Sequence, residues 1–197
     1  LKRGEKVRVL DNFFTGKREN LTFTQLPSHQ VTHLLEIIEG DIRDSNKVKQ
    51  VMKNVDYVIH EAALRSVPKS MEDPGSYHEV NVTGTLNILI GAREAKVKKV
   101  VFASSSSVYG ETDILPEKEE QPPQPISPYA LTKLTCEYYC KVFSEAYGLK
   151  TVSLRYFNVF GPRQSLESQY AVVVPKFITA MLKDERPPVH GDGLQSR

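Results

Sequence analysis

The stretch KVVFASSSSVYG, residues 99–110, decides the fold class, because a short apolar run leads directly into four serines. Similar apolar runs recur along the chain, and the segments between them carry apolar residues at helical spacing. The predicted strands are Val7–Leu10, Leu34–Ile38, Asp56–His60, Lys99–Ser104 and Thr151–Arg155. This alternation predicts an α/β protein with a doubly wound parallel sheet.

Helical spacing predicts two long helices, Tyr77–Ala95 and Pro128–Tyr147. A shorter helix is predicted from a cap at Ser45 to about Lys53, and another from Val172 to Leu182. Residues 13–33 are the least regular part and are predicted to form a loop with a short helix.

Composition places the chain among ordinary globular proteins, with 40% hydrophobic and 25% charged residues in 197. The net charge of +2 is spread without a basic run, which argues against nucleic-acid binding. No apolar stretch approaches membrane-spanning length, and no signal-peptide pattern opens the chain. We therefore expect a soluble, cytoplasmic protein that binds neither nucleic acid nor membrane.

Two residue pairs share the spacing of one helical turn, Cys136 with Cys140 and His29 with His33. Neither pair has the spacing or the accompanying ligands of a metal site. We expect the cysteines to be small buried residues on a helix and expect no metal site.

Two acidic residues follow predicted strands at positions suited to a dinucleotide. Asp11 ends the first strand, where a carboxylate accepts hydrogen bonds from ribose hydroxyls and repels a 2′-phosphate, which favours NAD over NADP. Asp41 after Gly40 could accept from an adenine amino group, and Ile42 could pack on the ring. An ordinary turn explains Asp11 equally well.

Small and hydroxylated residues follow two further strands. Ala62 and Ala63 would let a ligand approach the backbone, although tight packing also explains them. Residues 104–107 place four hydroxyls where open α/β sheets bind ligands, although a serine run is also common in plain loops.

Tyr129 and Lys133 lie four residues apart on a predicted helix and therefore share a face. A free tyrosine has a pKa of about 10, too high for a base near neutrality. An ammonium group and a positive nicotinamide ring beside the phenol would lower that pKa. Lys133 could also hold the nicotinamide ribose.

Taken together, these motifs resemble the extended short-chain dehydrogenase/reductase family, in its nucleotide-sugar epimerase branch. The similarity is greatest to UDP-glucose and UDP-N-acetylglucosamine 4-epimerases. The matching stretches are residues 10–13, 40–43, 60–63, 81–85, 104–110, 127–133 and 155–163. They follow one another in the family's order along nearly the whole chain.

The resemblance implies a role for each matching residue. The implied catalytic residues are Ser105, Tyr129 and Lys133. The implied NAD-binding residues are Asp11, Asn12, Asp41, Ile42, Ala62, Ala63, Asn81, Ser104, Tyr129, Lys133 and Tyr156. The implied substrate-binding residues are Arg65, Ser66, Ser105, Ser106, Ser107, Tyr129, Asn158, Val174, Lys176, Val189 and Arg197.

The implied activity is NAD-dependent 4-epimerisation of a UDP-sugar through a 4-keto intermediate. A 4,6-dehydratase would need an Asp-Glu pair where this chain has Ser106 and Ser107, which counts against dehydration. A UDP-glucuronate decarboxylase would need a carboxylate anchor, and Arg65 keeps that alternative open. Non-catalytic NAD(P)-binding relatives typically lack the Tyr–Lys pair.

The resemblance also implies an organisation: residues 1–160 as a Rossmann-type NAD-binding domain and 161–197 as the beginning of a nucleotide-sugar-binding lobe. The family's Gly-rich phosphate loop and its strand would precede Leu1, with that strand between Val7–Leu10 and Asp56–His60. We expect the chain to be inactive without them. A homodimer through a four-helix interface is the family's habit and is expected here.

Overall fold

A computed structural model describes residues 1–22, 31, 33–164, 173–187, 189 and 191–193. Its five strands are β1 (Val7–Asp11), β2 (Leu35–Glu39), β3 (Tyr57–His60), β4 (Lys99–Ser105) and β5 (Thr151–Tyr156). All three strand pairs are parallel: β1 with β2, β3 with β4, and β4 with β5. The five predicted strands are confirmed to within one residue at each end.

The helices are α1 (Ser45–Val51), α2 (Val67–Glu72), α3 (Pro74–Tyr77), α4 (Gly84–Glu94), α5 (Pro128–Tyr147) and α6 (Val173–Leu182). A π-helical segment, His78–Thr83, joins α3 to α4. Single 3-10 turns lie at Arg18–Leu21 and Ser106–Tyr109. The prediction for α5 is confirmed, as is a short helical turn in the irregular segment.

Two predictions about helices are corrected. The predicted uninterrupted helix from Tyr77 to Ala95 contains the π-helical segment, in which Asn81 and Val82 are buried. The first short helix is capped by Asp44 and not by Ser45, and it ends at Val51. The Asp44 carboxylate accepts from the backbone N–H groups of Asn46 and Lys47, the two donors that an N-cap satisfies.

The core lies between β4 and the helices α1, α4 and α5. Its fully buried side chains include Phe102, Leu89 and Val48. Cys136 and Cys140 are free thiols within this core, which confirms the prediction of small buried residues. His33 is exposed, and His29 lies outside the described residues.

The strands form two separate sheets, β1-β2 and β3-β4-β5. A cavity of about 2200 Å³ is lined by both β1 and β3. On β3, Tyr57 and Ile59 are 65% and 73% exposed. The break between the sheets falls where the sequence resemblance places a further strand. Among the described residues, no helix has the length and apolarity needed to cross a membrane.

Two glycines with positive φ differ both in ψ and in the space around them: ψ is −144° at Gly110 and 11° at Gly148. Gly110 has φ 72°, and a Cβ there would lie 1.9 Å from the Gln124 carbonyl oxygen. Gly148, which ends α5, has φ 70° and open space around it. We expect Gly148→Ala to lower the free energy of unfolding by about 1 kcal/mol, and Gly110→Ala by about 3 kcal/mol or more. Urea unfolding of both variants checks this, and equal losses would contradict it.

Candidate cofactor and substrate site

Tyr129 is held in the first turn of α5 by contacts from both sides. The helix begins after Ser127, whose hydroxyl accepts from Ala130 N, and Pro128 suits the first helical position. The Tyr129 N–H donates to Ser70 Oγ at 3.1 Å. Only 9% of Tyr129 is exposed. Ser105, at the end of β4, acts on the Tyr129 side chain in the direction that lowers its pKa.

Lys133 lies one turn further along α5 and is 4% exposed. Its Nζ donates to the Ala103 carbonyl of β4 at 2.7 Å and lies 6.0 Å from the centre of the Tyr129 ring. Burial lowers the pKa of Lys133 to about 8, against smaller opposing effects of Cys136 and Glu61. The structure thus brings Ser105, Tyr129 and Lys133 together where β4 meets α5.

Burial raises the pKa of Tyr129, which differs from the lowering expected from the sequence. Ser105 and the charge of Arg65 act to lower the pKa of Tyr129, and Tyr77 acts to raise it. The reason is desolvation, since a phenolate loses more than a phenol when water is excluded. In the absence of a bound cofactor, the presence of Lys133 does not bring the pKa of Tyr129 below its usual value.

The four serines after β4 have different surroundings. Ser105 caps the 3-10 turn Ser106–Tyr109 and accepts from both the N–H and the hydroxyl of Ser107. Ser106 is buried in that turn. Ser104 is also buried, and its hydroxyl donates to Glu137. Ser105 and Ser107 are therefore the hydroxyls nearest to Tyr129, while the Ser104 hydroxyl is used inside the protein.

Asp11 and Asn12 lie at the carboxyl end of β1. The Asp11 carboxylate accepts from Phe13 N at 2.7 Å, and the loop returns so closely that a Cβ on Gly16 would lie 3.2 Å from it. The Asn12 amide donates to Asp41 Oδ2 at 3.0 Å. These contacts place both side chains at the mouth of the cavity.

Asp41 and Ile42 each have a partner within the protein. The Arg43 guanidinium and backbone N–H bind the Asp41 carboxylate and hold its pKa well below the usual range. Ile42 is buried against Gly84, where a Cβ would come within 2.5 Å of it. Both residues line the cavity, but Asp41 has less free acceptor capacity than the sequence suggested.

The residues at the carboxyl ends of the strands fit a dinucleotide by their chemistry. They include an acid at the tip of β1 and the two alanines that follow β3. The predicted cofactor residues that line the cavity at these strand ends are Asp11, Asn12, Asp41, Ile42, Ala62 and Ala63. Small side chains at a strand end allow close backbone approach, and the buried Lys133 ammonium nearby can donate to a ribose hydroxyl.

Asn81 and Ser66 serve the packing around the site. The Asn81 side chain exchanges hydrogen bonds with both backbone groups of Leu64 and donates to Thr132 Oγ1. Ser66 is buried, caps α2, and donates its N–H to the Tyr77 hydroxyl. These contacts tie the loop after β3 to α5. Arg65 is exposed in that loop and lines the cavity.

The remaining predicted residues lie further along the chain. Tyr156 ends β5 and is 38% exposed, and Asn158 is exposed just beyond it. Val174 and Lys176 are half-buried on α6, and Val189 is exposed. Arg197 lies outside the described residues.

Two polar residues beside the site, Glu137 and His60, were not predicted from the sequence. Glu137 binds Arg155 and Ser104, and its position four residues after Lys133 was the available signal. His60 is buried, with Nε2 2.8 Å from Thr85 Oγ1. Its place at the end of a predicted strand indicated burial, but its hydrogen-bond partner depends on the packing of α4.

His60 should make the protein sensitive to acid. Burial, assisted by the charge of Lys133, lowers the pKa of His60 to about 3 from 6.5. The unfolded chain binds the proton first, so stability falls as pH drops from about 6.5 towards 3. Between pH 6.5 and 4.5 we expect a loss on the order of 2 kcal/mol, and a much smaller loss in His60→Gln. Urea unfolding at both pH values measures this; an equal loss in the variant would contradict it.

The whole chain, residues 1–197, matches the model of the NAD dependent epimerase/dehydratase family. The chain therefore belongs to this family, whose cofactor is NAD. The sequence-based expectations of family, Rossmann-like α/β fold and cofactor are confirmed.

Three similar proteins show the range of the family. One is a UDP-N-acetylglucosamine 4-epimerase from Methanobrevibacter ruminantium M1, whose structure is in complex with UDP-N-acetylmuramic acid. Its sequence is 47% identical to this chain and the TM-score is 0.88, over 96% of this chain and 59% of that one. The Thermus thermophilus UDP-glucose 4-epimerase complex with NAD is 41% identical with a TM-score of 0.80, over 93% of this chain and 57% of that one. A UDP-N-acetyl-alpha-D-glucosaminuronate decarboxylase from Bacillus cytotoxicus is 36% identical, over 100% of this chain and 60% of its own length.

Proposed function

We propose that the full-length protein is an NAD-dependent isomerase that inverts carbon 4 of a UDP-sugar. The observation that carries this proposal is the placement of Tyr129 and Lys133 one turn apart on α5, both buried, with the Lys133 ammonium 6.0 Å from the centre of the Tyr129 ring. Ser105, at the end of β4, acts on Tyr129 in the direction that lowers its pKa. This arrangement provides an acid–base group, a hydroxyl for the reacting oxygen and a cation close to one another.

Each of the three residues has a distinct part in the proposed reaction. Tyr129, as phenolate, removes the proton from the sugar 4-hydroxyl and later returns it. Ser105 hydrogen-bonds the same sugar oxygen, and Lys133 holds the nicotinamide ribose. NAD, when bound, would supply the hydride chemistry at carbon 4 of the sugar. Burial raises the pKa of Tyr129 in the chain itself, which disfavours the phenolate. The positive charges of Arg65 and of the bound cofactor act in the opposite direction and favour it.

UDP-glucose and UDP-N-acetylglucosamine are the proposed substrates. Two similar structures are named as 4-epimerases of these sugars. The chain spans 46% to 61% of the length of eight curated relatives that it matches, so the activity is proposed for the full-length protein.

Dehydration is disfavoured by the residues after Ser105. The Ser107 hydroxyl donates to Ser105, and Ser106 is buried. Neither position carries the carboxyl group that an additional acid–base pair would supply.

Decarboxylation of a UDP-uronate is the second candidate, because the positive charge of Arg65 acts on Tyr129 and so lies near the proposed reaction centre. A cation near that centre could also bind a sugar carboxylate. The 36% identity to a UDP-N-acetyl-alpha-D-glucosaminuronate decarboxylase supports decarboxylation as the alternative to epimerisation.

A homodimer and a cytoplasmic location complete the proposal. Leu131, Tyr138 and Val142 form an exposed apolar stripe on α5, which suits a four-helix interface between two copies. The free thiols Cys136 and Cys140 suit a reducing compartment.

The test is to incubate the full-length protein with UDP-glucose, UDP-N-acetylglucosamine and UDP-glucuronate without added NAD. Chromatography and mass spectrometry identify the products. An isomer of unchanged mass from either neutral sugar is expected. Loss of carbon dioxide from the uronate alone would support the second candidate, and loss of water would contradict both.

A further inference from the structure

A partly buried ion pair lies one helical turn beyond Lys133. The Glu137 carboxylate on α5 accepts from Arg155 of β5, with Nη2 to Oε2 at 2.8 Å and Nε to Oε1 at 3.0 Å. Their side chains are only 13% and 17% exposed. The Arg155 guanidinium also lies 4.7 Å above the centre of the Tyr109 ring.

Two consecutive residues of β4 are hydrogen-bonded to α5. The Ala103 carbonyl accepts from Lys133 Nζ, and the Ser104 hydroxyl donates to Glu137 Oε1 at 2.5 Å. The two helix residues lie four positions apart, on neighbouring turns of one helix face. Ser105 follows Ser104 directly and acts to lower the pKa of Tyr129, which lies one turn before Lys133. The Glu137 contact therefore fixes the strand segment that carries Ser105 and the backbone partner of Lys133.

Stability gives a weak reason for such a pair. Buried ion pairs contribute little to stability relative to apolar side chains of similar volume. Arg155 Nη1 is in addition buried without a hydrogen-bond partner in the described part of the chain. The Glu137–Arg155 pair is therefore poorly explained by stability, but it lies where it can orient Ser104 and the end of β4.

We propose that Glu137 is a positioning residue, which acts through Ser104 to set the end of β4 against α5 so that Ser105 and Lys133 meet Tyr129 and the nicotinamide ribose correctly. This role rests on the proposed function. Arg155 holds the Glu137 carboxylate in place from β5.

The test compares Ser104→Ala with Ser104→Thr in the full-length enzyme. Ser104→Ala removes the contact and leaves the Glu137–Arg155 pair intact, whereas threonine keeps a hydroxyl. We expect Ser104→Ala to lower kcat about tenfold with KM changed less than about twofold, because small displacements of reacting groups are costly. Ser104→Thr should recover most of that loss. Glu145→Gln is the control, since Glu145 lies on the same helix with a side chain 67% exposed.

If the wild type is active, the kcat values of the two Ser104 variants test the positioning role. A folded Ser104→Ala variant with normal kcat, or an equal loss in Ser104→Thr, would overturn the positioning role. When the wild type converts no sugar, the proposed function fails, and titration of the protein with NADH by fluorescence decides the positioning role separately. A dissociation constant raised about threefold or more by Ser104→Ala supports it, and an unchanged constant overturns it.

Discussion

Tyr129→Phe is expected to lower kcat for the UDP-sugar by a factor of about 10² or more, because the only atom removed is the acid–base oxygen. The substitution should leave the fold intact. The Tyr129 ring packs edge-on against Tyr77, with centroids 6.4 Å apart, and its backbone N–H is held by Ser70. Both contacts are available to phenylalanine.

Steady-state kinetics and thermal unfolding of the same preparation provide the measurement. Tyr147→Phe is the matched control, since Tyr147 lies at the other end of the same helix and is 53% exposed. Its kcat should equal that of the wild type. Near-normal turnover in Tyr129→Phe would refute the assignment of the acid–base residue.

Lys133→Met is expected to have opposite effects on activity and stability. Turnover should fall by a factor of about 10² or more, because the cation beside Tyr129 is lost. At pH 7 the NAD-free protein should become more stable. Burial lowers the pKa of Lys133 to about 8 from 10.5, so folding requires a protonated ammonium to be held in an unfavourable environment. That cost corresponds to on the order of 3 kcal/mol, and losing the donor to the Ala103 carbonyl offsets about 1 kcal/mol.

The pH dependence has a definite sign. Between about pH 8 and 10.5 the unfolded chain keeps the Lys133 proton while the folded chain has released it. Wild-type stability therefore rises across this interval relative to the variant, and the advantage of Lys133→Met shrinks. Urea unfolding of NAD-free protein at pH 7 and pH 10 checks this. A variant that is less stable than the wild type at pH 7 would contradict it.

The strands and the catalytic pair could be predicted because their signals are local. Apolar runs mark the buried parallel strands, and the four-residue interval from Tyr129 to Lys133 places both side chains on one helix face. The position of Ser105 follows from the end of β4. These features need no knowledge of distant contacts.

Other features depend on side-chain contacts that a sequence pattern does not determine, whether the partner is remote in sequence or close to it. The pKa of Tyr129 rises because its ring is enclosed by residues such as Tyr77, more than fifty positions away. Asp41 is engaged by Arg43, since an arginine two residues later happens to reach back to it. The choice of Asp44 over Ser45 as the helix cap is a competition between adjacent capping residues, which sequence alone does not decide.

The most direct test of the central claim follows a deuterium label at carbon 4 of the UDP-sugar. The proposed reaction removes that hydrogen as hydride and returns it to the same carbon within the closed site. The product inverted at carbon 4 should therefore keep the deuterium at that carbon, in ordinary water and without added NAD. Exchange of the label with solvent, or its appearance at another carbon with loss of water, would contradict the proposed epimerisation.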